Sequence, residues 1–129
     1  MILLDSNVLI DIFAPDQSWY EWSSEATARA SSSDSLAVNQ VGIAEIAPGF
    51  ATLDVLLTKL AVLNVKLLDL TDQGAFAAGK AFSLYRARRR VSGEQSGTVL
   101  PDFLIGGHAQ SIGATILTRD PRFYRAYFP

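Results

Sequence analysis

Four carboxylates in this sequence stand where their chemistry could be shared. Asp5 ends the short apolar run ILL, Glu45 lies within the apolar stretch GIAEIA, Asp102 opens PDFLIGGHA, and Asp120 follows TILT by two residues. Asp5 stands between two apolar segments and is therefore expected to be buried. A buried charge without a partner is costly, so we expect another part of the chain to supply a partner for Asp5. Oxygen ligands suit Mg²⁺ and Mn²⁺. The four acids therefore predict a site for a hard divalent cation, which can activate water and neutralise a phosphate.

Three of the acids also have ordinary structural explanations. Asp102 fits the first turn of a helix, where the helix dipole favours an acid. Asp120 precedes Pro121 and could simply begin a turn. Glu45 could be a surface glutamate, so a shared site depends on the fold bringing the acids together.

Apolar patterning predicts strands alternating with helices, and hence a mainly parallel sheet in an α/β fold. The predicted strands are Ile2–Leu4, Leu36–Val38, Val65–Leu68 and Ala114–Leu117, with a possible edge strand at Phe123–Phe128. The predicted helices are Asn7–Phe13, Ser18–Ala30, Val41–Ala47, Thr52–Leu63, Asp72–Arg90 and Pro101–Gly113, with a polar loop at Val91–Thr98. Ligands of such sheets bind outside the carboxyl ends of the strands. Asp5, Asp102 and Asp120 are expected at that edge, within reach of Glu45.

Composition limits the alternatives. The chain has 129 residues, 49% of them hydrophobic and 19% charged, which predicts a single globular domain over residues 1–129. It has no cysteine, which excludes disulfides and thiolate metal sites and is compatible with a reducing cytosol. The sequence shows neither a signal-peptide pattern nor an apolar stretch of membrane-spanning length.

The charges are unevenly distributed. Residues 1–79 carry 3 basic and 10 acidic side chains, and residues 80–129 carry 8 basic and 3 acidic ones. Seven of these basic residues fall in two groups that suit a phosphate backbone, and six of them are predicted to bind its phosphates. The six are Arg86, Arg88, Arg89 and Arg90, together with Arg119 and Arg122 beside Asp120. A solvated helix end with salt bridges in the tail is the alternative explanation.

The ordered set LLDSNVLID, AEI, PDFLIGGHA and LTRDPRF resembles the PIN-domain ribonucleases, and most closely the VapC-type toxins of bacterial toxin–antitoxin pairs. The resemblance covers nearly the whole chain. It implies a three-layer α/β/α fold and RNA cleavage dependent on Mg²⁺ or Mn²⁺. It also implies an antitoxin protein as partner, a homodimer and a cytoplasmic location. One departure is the pair Gly106–Gly107, where small alanines are more usual, and a close helix–sheet contact is the expected reason.

The resemblance carries the acidic positions of the family over to Asp5, Glu45, Asp102 and Asp120. The expected mechanism has Asp5 and Asp102 holding the metal, with Glu45 and Asp120 completing the site directly or through water. The residues expected to support these ligands are Asn7, Thr118 and Ser6, although Asn7 could also cap the first helix. His108 lies about 240° around its helix from Asp102, so no direct role is expected for it.

Other functions remain to be weighed against this one. A haloacid dehalogenase would need a second Asp two residues after the first, where Asn7 stands, and a receiver domain would need a lysine later than Lys80. No GxxxxGK[ST] or GxGxxG motif occurs. Two alternatives stay open: a PIN-type RNA-processing nuclease that is not a toxin, and a non-catalytic PIN module that binds RNA or protein.

Overall fold

A computed structural model describes residues 1–14, 18–93 and 100–129. The chain forms two compact units. The first unit comprises Met1–Asp69 and Thr115–Arg119, and the second comprises Leu70–Ala114 and Asp120–Pro129. The prediction that the whole chain is a single domain stays a prediction.

The first unit contains a parallel sheet, as the alternating pattern predicts. Its strands are β1 (Ile2–Leu4), β2 (Leu36–Val38), β3 (Val65–Leu67) and β4 (Thr115–Leu117), in the order β3-β2-β1-β4. All three strand pairs are parallel. The chain therefore reaches the carboxyl ends of β1, β2 and β4 at one edge of the sheet, which is where the polar residues after each strand lie.

The described residues of the first unit form four helices. They are α1 (Ser6–Phe13), α2 (Tyr20–Ser33), α3 (Gln40–Ile46) and α4 (Leu53–Val62), with a short 3₁₀ turn at Ala47–Gly49. Side chains fix two helix starts: Asn39 Oδ1 accepts a hydrogen bond from the Gly42 amide, and Thr52 Oγ1 accepts one from the Val55 amide. The core joins the sheet to these helices through Leu4, Leu9, Leu36, Val38, Ile46, Leu56, Leu60 and Val65.

The helical spacing of Trp19, Trp22 and Ala26 would predict one buried stripe on α2, but the structure buries a different face. The side chains that are buried along α2 are Ser23, Ala26 and Thr27. Trp19 and Trp22 are 43% and 39% exposed. Small side chains allow α2 to approach α1 closely, and the two indoles lie outside this contact.

The second unit is helical in the residues described. It contains α5 (Asp72–Ser92), α6 (Leu100–Ile112) and α7 (Pro121–Tyr127). Thr71 caps α5 by accepting a hydrogen bond from the Gly74 amide, and Gly93 ends it with a φ of +76°, a conformation that favours glycine. The predicted loop Val91–Thr98 is thus helical at its first two residues, while residues 94–98 lie outside the described residues.

The predicted edge strand Phe123–Phe128 is wrong, because Phe123 to Tyr127 belong to α7 and Phe128 is the residue that ends it. Aromatic residues are common in strands, but here they recur at intervals of four. Phe103, which is fully buried, is surrounded by other rings, with ring centroids 4.9 Å from Phe123, 5.2 Å from Tyr127 and 6.0 Å from Phe128. A helix turns these rings toward the same centre, and their burial decides the secondary structure.

The two glycines of α6 are explained by contacts within the second unit. A Cβ on Gly107 would lie 2.7 Å from the Ala78 amide nitrogen and 2.9 Å from the Ala78 Cβ, and one on Gly106 would overlap the Phe128 ring. These nearest neighbours belong to α5 and to the tail, so the expected helix–sheet contact is replaced by a helix–helix contact at Gly107. Here α5 and α6 approach closely because neither carries a large side chain at the contact.

Gly107→Ala is expected to lower the free energy of unfolding by about 1–3 kcal/mol, because the overlap involves backbone atoms that cannot rotate away. Gly79 provides the matched control, since a Cβ there meets nothing within 4 Å. Gly79→Ala should raise stability by up to about 1 kcal/mol, the difference between glycine and alanine within a helix. Thermal melts followed by circular dichroism compare the two. A Gly107→Ala variant as stable as the wild type would contradict the close contact.

Among the described residues, no single helix has both the length and the apolar composition needed to cross a membrane. The helical segments Gln40–Gly49 and Leu53–Val62 meet these criteria only when taken together, and a bend of 109° separates them.

Candidate functional site

Asp5 lies at the carboxyl end of β1 and is the residue before α1. Its backbone amide donates a hydrogen bond to the Leu117 carbonyl of β4, with a distance of 3.0 Å. Only 5% of its surface is exposed. The central strands therefore fix this carboxylate at the edge of the sheet where the sequence predicts it.

Both oxygens of Asp5 have a hydroxyl neighbour. The Thr118 hydroxyl donates to Asp5 Oδ2 at 2.8 Å, and the Ser6 hydroxyl lies 3.5 Å from Asp5 Oδ1. Thr118 directly follows β4, so its position is set by the pairing of β4 with β1. These hydroxyls hold the carboxylate in a defined orientation.

Ser6 links Asp5 to Glu45. The Ser6 hydroxyl donates to Glu45 Oε1 at 2.8 Å, while remaining near Asp5. Glu45 is exposed and belongs to α3, whose start is fixed by the Asn39 cap at the end of β2. Two carboxylates that are 40 residues apart in the sequence are thus joined through one hydroxyl.

Asn7 holds the segment that follows β4. Its Nδ2 donates to Thr118 Oγ1 at 3.3 Å, and its Oδ1 accepts from the Arg119 amide at 3.4 Å. Asn7 is the second residue of α1, and Asp5 occupies the capping position. Asn7 therefore contacts the residues beside the site and does not cap α1.

Sequence reasoning missed a second buried acid in α1. Asp11 is 1% exposed, accepts a hydrogen bond from the Ser23 hydroxyl at 2.6 Å, and pairs with Arg119, whose Nε lies 2.8 Å from Asp11 Oδ2. The guanidinium carbon of Arg119 also lies 5.3 Å from the centre of the Trp19 ring. The available signal was an acid four residues after Asn7, within the apolar part of the helix from Val8 to Phe13. Arg119 is largely engaged by these contacts, and its predicted binding of RNA stays a prediction.

Asp102 and Asp120 belong to the second unit. Asp102 is half-buried in the first turn of α6, and Asp120 is exposed directly before Pro121 at the start of α7. Arg122 follows on the exposed surface of α7. The convergence of these two acids with Asp5 and Glu45 stays a prediction.

The residues present suit a sparsely coordinated Mg²⁺ or Mn²⁺ ion. Within residues 1–14, 18–93 and 100–129, no three His, Cys, Asp or Glu side chains stand together as a metal-binding group. Mg²⁺ keeps several of its waters and is usually bound by one or two carboxylates together with substrate phosphates. The pair formed by Asp5 and Glu45, with hydroxyl donors beside it, is a donor set of that kind.

The basic residues of α5 lie against aromatic rings. The guanidinium carbons of Arg86, Arg88 and Arg89 lie 5.8, 5.2 and 5.2 Å from the ring centres of Phe82, Tyr127 and Tyr85, respectively. Arg86 and Arg90 are one turn apart and line a groove of about 270 Å³. Cation–π contacts of this kind restrain the guanidinium groups.

His108 is buried within α6. Burial lowers the pKa of its imidazole below the ordinary value of 6.5, because a buried site disfavours the charged form. The neutral imidazole is thus the form compatible with the fold. Its contribution to stability is complete above pH 6.5 and is lost as the pH falls through the lowered folded-state pKa.

The chain belongs to the PIN domain family, whose sequence model matches residues 2–129. PIN domains are typically metal-dependent nucleases. The resemblance in the ordered motifs is therefore confirmed at the level of the family. No curated protein sequence matches the chain.

Solved structures of toxin–antitoxin complexes share the fold. VapBC2 from Rickettsia felis, bound to a promoter DNA fragment, is 22% identical with a TM-score of 0.64, and the match covers 100% of this chain and 94% of that one. FitAcB from Neisseria gonorrhoeae is 20% identical with a TM-score of 0.65, covering 98% and 93%. VapBC-1 from nontypeable Haemophilus influenzae is 21% identical with a TM-score of 0.62, covering 97% and 91%. These similarities confirm the predicted PIN-like α/β fold.

Proposed function

We propose that this protein is an endoribonuclease that cleaves RNA phosphodiesters with the help of Mg²⁺ or Mn²⁺. The observation that carries the proposal is the link from Asp5 through the Ser6 hydroxyl to Glu45, at the carboxyl edge of a PIN-family sheet. Strand ends of this kind are where open α/β sheets bind their ligands. A buried carboxylate joined to a second one is hard to explain by stability alone, since like charges at close range repel.

In this proposal Asp5 and Asp102 hold the metal, and Glu45 and Asp120 complete the site directly or through water. When bound there, such an ion would supply Lewis acidity, the property that lowers the pKa of water and offsets charge on a phosphate. Because water would be the nucleophile, the reaction needs none from a side chain. This agrees with the absence of cysteine from the chain.

The chain's own residues orient these acids. Thr118 donates to Asp5 Oδ2 and leaves the other oxygen of Asp5 directed toward Ser6. Asn7 fixes Thr118 and the Arg119 amide, and so sets the start of the segment that leads to Asp120. Partners of this kind typically change metal affinity or activity by about 10–100-fold when they are removed.

We further propose that the protein is the toxin of a toxin–antitoxin pair and acts in the cytoplasm as a homodimer. The support is the similarity to VapBC and FitAcB, which were solved as complexes. An antitoxin protein would then be the partner that restrains cleavage. A PIN nuclease that processes RNA without being toxic is the second candidate, and growth on expression separates the two.

Purified protein should cleave members of a panel of transfer, ribosomal and messenger RNA in the presence of Mn²⁺ or Mg²⁺, and chelator should abolish the cleavage. Mapping the new RNA ends identifies the substrate and the cleaved bond. RNA binding without cleavage under any of these conditions would instead favour a non-catalytic PIN module.

A further inference from the structure

A groove on α5 has a composition that suits a nucleotide. It measures about 270 Å³ and is lined by Gly79, Phe82, Ser83, Arg86 and Arg90. The spacing of these residues, three or four apart, places them along one face of the helix. The groove thus combines two guanidinium groups, a hydroxyl, an aromatic ring and a position without a side chain.

The aromatic part of the groove is held firmly. The Phe82 ring packs against Phe103 and Tyr85, with centroid distances of 5.3 and 6.1 Å. Arg86 lies over the Phe82 ring on the side of the groove. A guanidinium restrained in this way can donate to a phosphate through its edge and stack on a base through its plane.

We propose that this groove binds one nucleotide of single-stranded RNA, with the phosphate between Arg86 and Arg90 and the base or ribose beside Arg86 and Phe82. The inference rests on the proposed ribonuclease function and adds a substrate-binding subsite to it. Unpaired bases are the form of RNA that proteins stack on aromatic and guanidinium planes, whereas bases of a duplex are already stacked.

Charge and size favour this occupant. Residues 80–129 carry a net charge of +5 and residues 1–79 one of −7, so the basic segment is the part of the chain suited to an RNA backbone. The groove is smaller than the roughly 300 Å³ at which pockets for drug-sized ligands begin. It therefore matches a single nucleotide unit of a longer chain that continues along the protein surface.

Gly79 allows the groove to be filled without disturbing the helix. A Cβ at this position meets nothing within 4 Å. Gly79→Gln places a long neutral side chain in the groove, and Gly79→Ala adds only a methyl group. Both residues are better helix formers than glycine, so both variants should melt at or above the temperature of the wild type.

Filter binding of a short single-stranded RNA of mixed sequence tests the proposal, in chelator so that the RNA stays intact and at several salt concentrations. Arg86→Gln/Arg90→Gln should reduce the slope of log K against log salt by about 0.7, the value for the one phosphate contact with a single strand that the two arginines share. Gly79→Gln should weaken binding several-fold with little change in slope, and by clearly more than Gly79→Ala, which adds only a methyl group.

Two further variants control for charge alone. Lys80→Gln removes a charge from α5 outside the groove, and Arg29→Gln removes an exposed charge from α2. Neither should change the slope as the paired arginines do. An unchanged slope in the double arginine variant, or wild-type affinity in Gly79→Gln, would overturn the proposal.

Two other outcomes also decide against it. Equal affinity of the groove for a duplex of the same sequence would exclude single-strand recognition. A poly-glutamate peptide that binds more tightly than the RNA, and loses binding in the arginine variant, would identify an acidic protein segment as the occupant.

Cleavage is measured separately with Mn²⁺. RNA cleavage that is unaffected by all groove variants would reject the subsite alone, and groove-dependent binding without any cleavage would reject the ribonuclease function alone.

Discussion

Asp5→Asn is expected to reduce metal-dependent RNA cleavage by more than about 100-fold. Loss of residues that merely orient metal ligands already costs about 10–100-fold, and Asp5 is proposed to be a ligand itself. Asparagine keeps the size of the side chain and can accept from Thr118, so the fold should be retained. Cleavage of the RNA identified by end mapping, at fixed Mn²⁺, gives the ratio of rates.

Metal binding gives a second measure of the same change. At a Mn²⁺ concentration of about 100 times the dissociation constant, binding should stabilise the wild type by roughly 2.7 kcal/mol. Thermal melts with chelator and with Mn²⁺ should show this gain in the wild type and little of it in Asp5→Asn. Expression of the wild type alone should arrest growth, and the variant should not.

Asp54→Asn is the control for this experiment, because Asp54 is an exposed acid in the first turn of α4. It should keep both the cleavage rate and the Mn²⁺-induced stabilisation. If Asp5→Asn keeps the full Mn²⁺ shift and its activity, Asp5 is a structural residue and the proposed site is wrong.

Asp11→Ala is expected to destabilise the protein by about 3 kcal/mol or slightly more. Removing one partner of a buried ion pair typically costs about 3–5 kcal/mol, because the other charge is left in a poorly solvated place. The Arg119 side chain is 29% exposed, which favours the lower end of that range. The Ser23 hydroxyl also loses its acceptor. The melting temperature should fall by roughly 10 °C.

Glu25→Ala provides the matched control on α2. Glu25 pairs with Arg29 at 4.0 Å, and both side chains are at least 70% exposed. Exposed pairs contribute at most about 1 kcal/mol, so the melting temperature should hardly change. The double variant Asp11→Ala/Arg119→Ala should be little worse than Asp11→Ala, since both substitutions break one pair. Full additivity of the two single effects would contradict the pairing.

The sheet could be predicted from the sequence because its signals are local. Each of the four strands is a short run of mostly apolar residues, and the predicted bounds differ from the observed ones by at most one residue. The N-terminal caps at Thr52 and Thr71 mark α4 and α5 for the same reason. Where burial depends on a distant partner, the local signal misleads. The aromatic residues of Phe123–Phe128 favour a strand by local propensity. Their packing around Phe103, which requires a helix, depends on a residue about 20 positions earlier in the sequence.

The candidate site was predictable in part. Strand ends can be located from the pattern, so the placement of Asp5 and Thr118 at one edge follows from a parallel sheet. The role of Ser6 as the link to Glu45 depends on the exact position of α3, which no local pattern specifies. Asp11 was missed because its partners, Ser23 and Arg119, come from separate parts of the chain.

The chain's only two tryptophans, Trp19 and Trp22, stand edge to face with their ring centres 5.7 Å apart, and Arg119 lies over Trp19. Indole emission shifts with nearby charge and with exposure to water. Tryptophan emission of this protein therefore reports on a single place, the start of α2 beside the residue that precedes Asp120. The second unit contributes no tryptophan emission of its own. Movement of Arg119 away from Trp19 can thus be followed optically in the unlabelled wild-type protein, without any engineered probe.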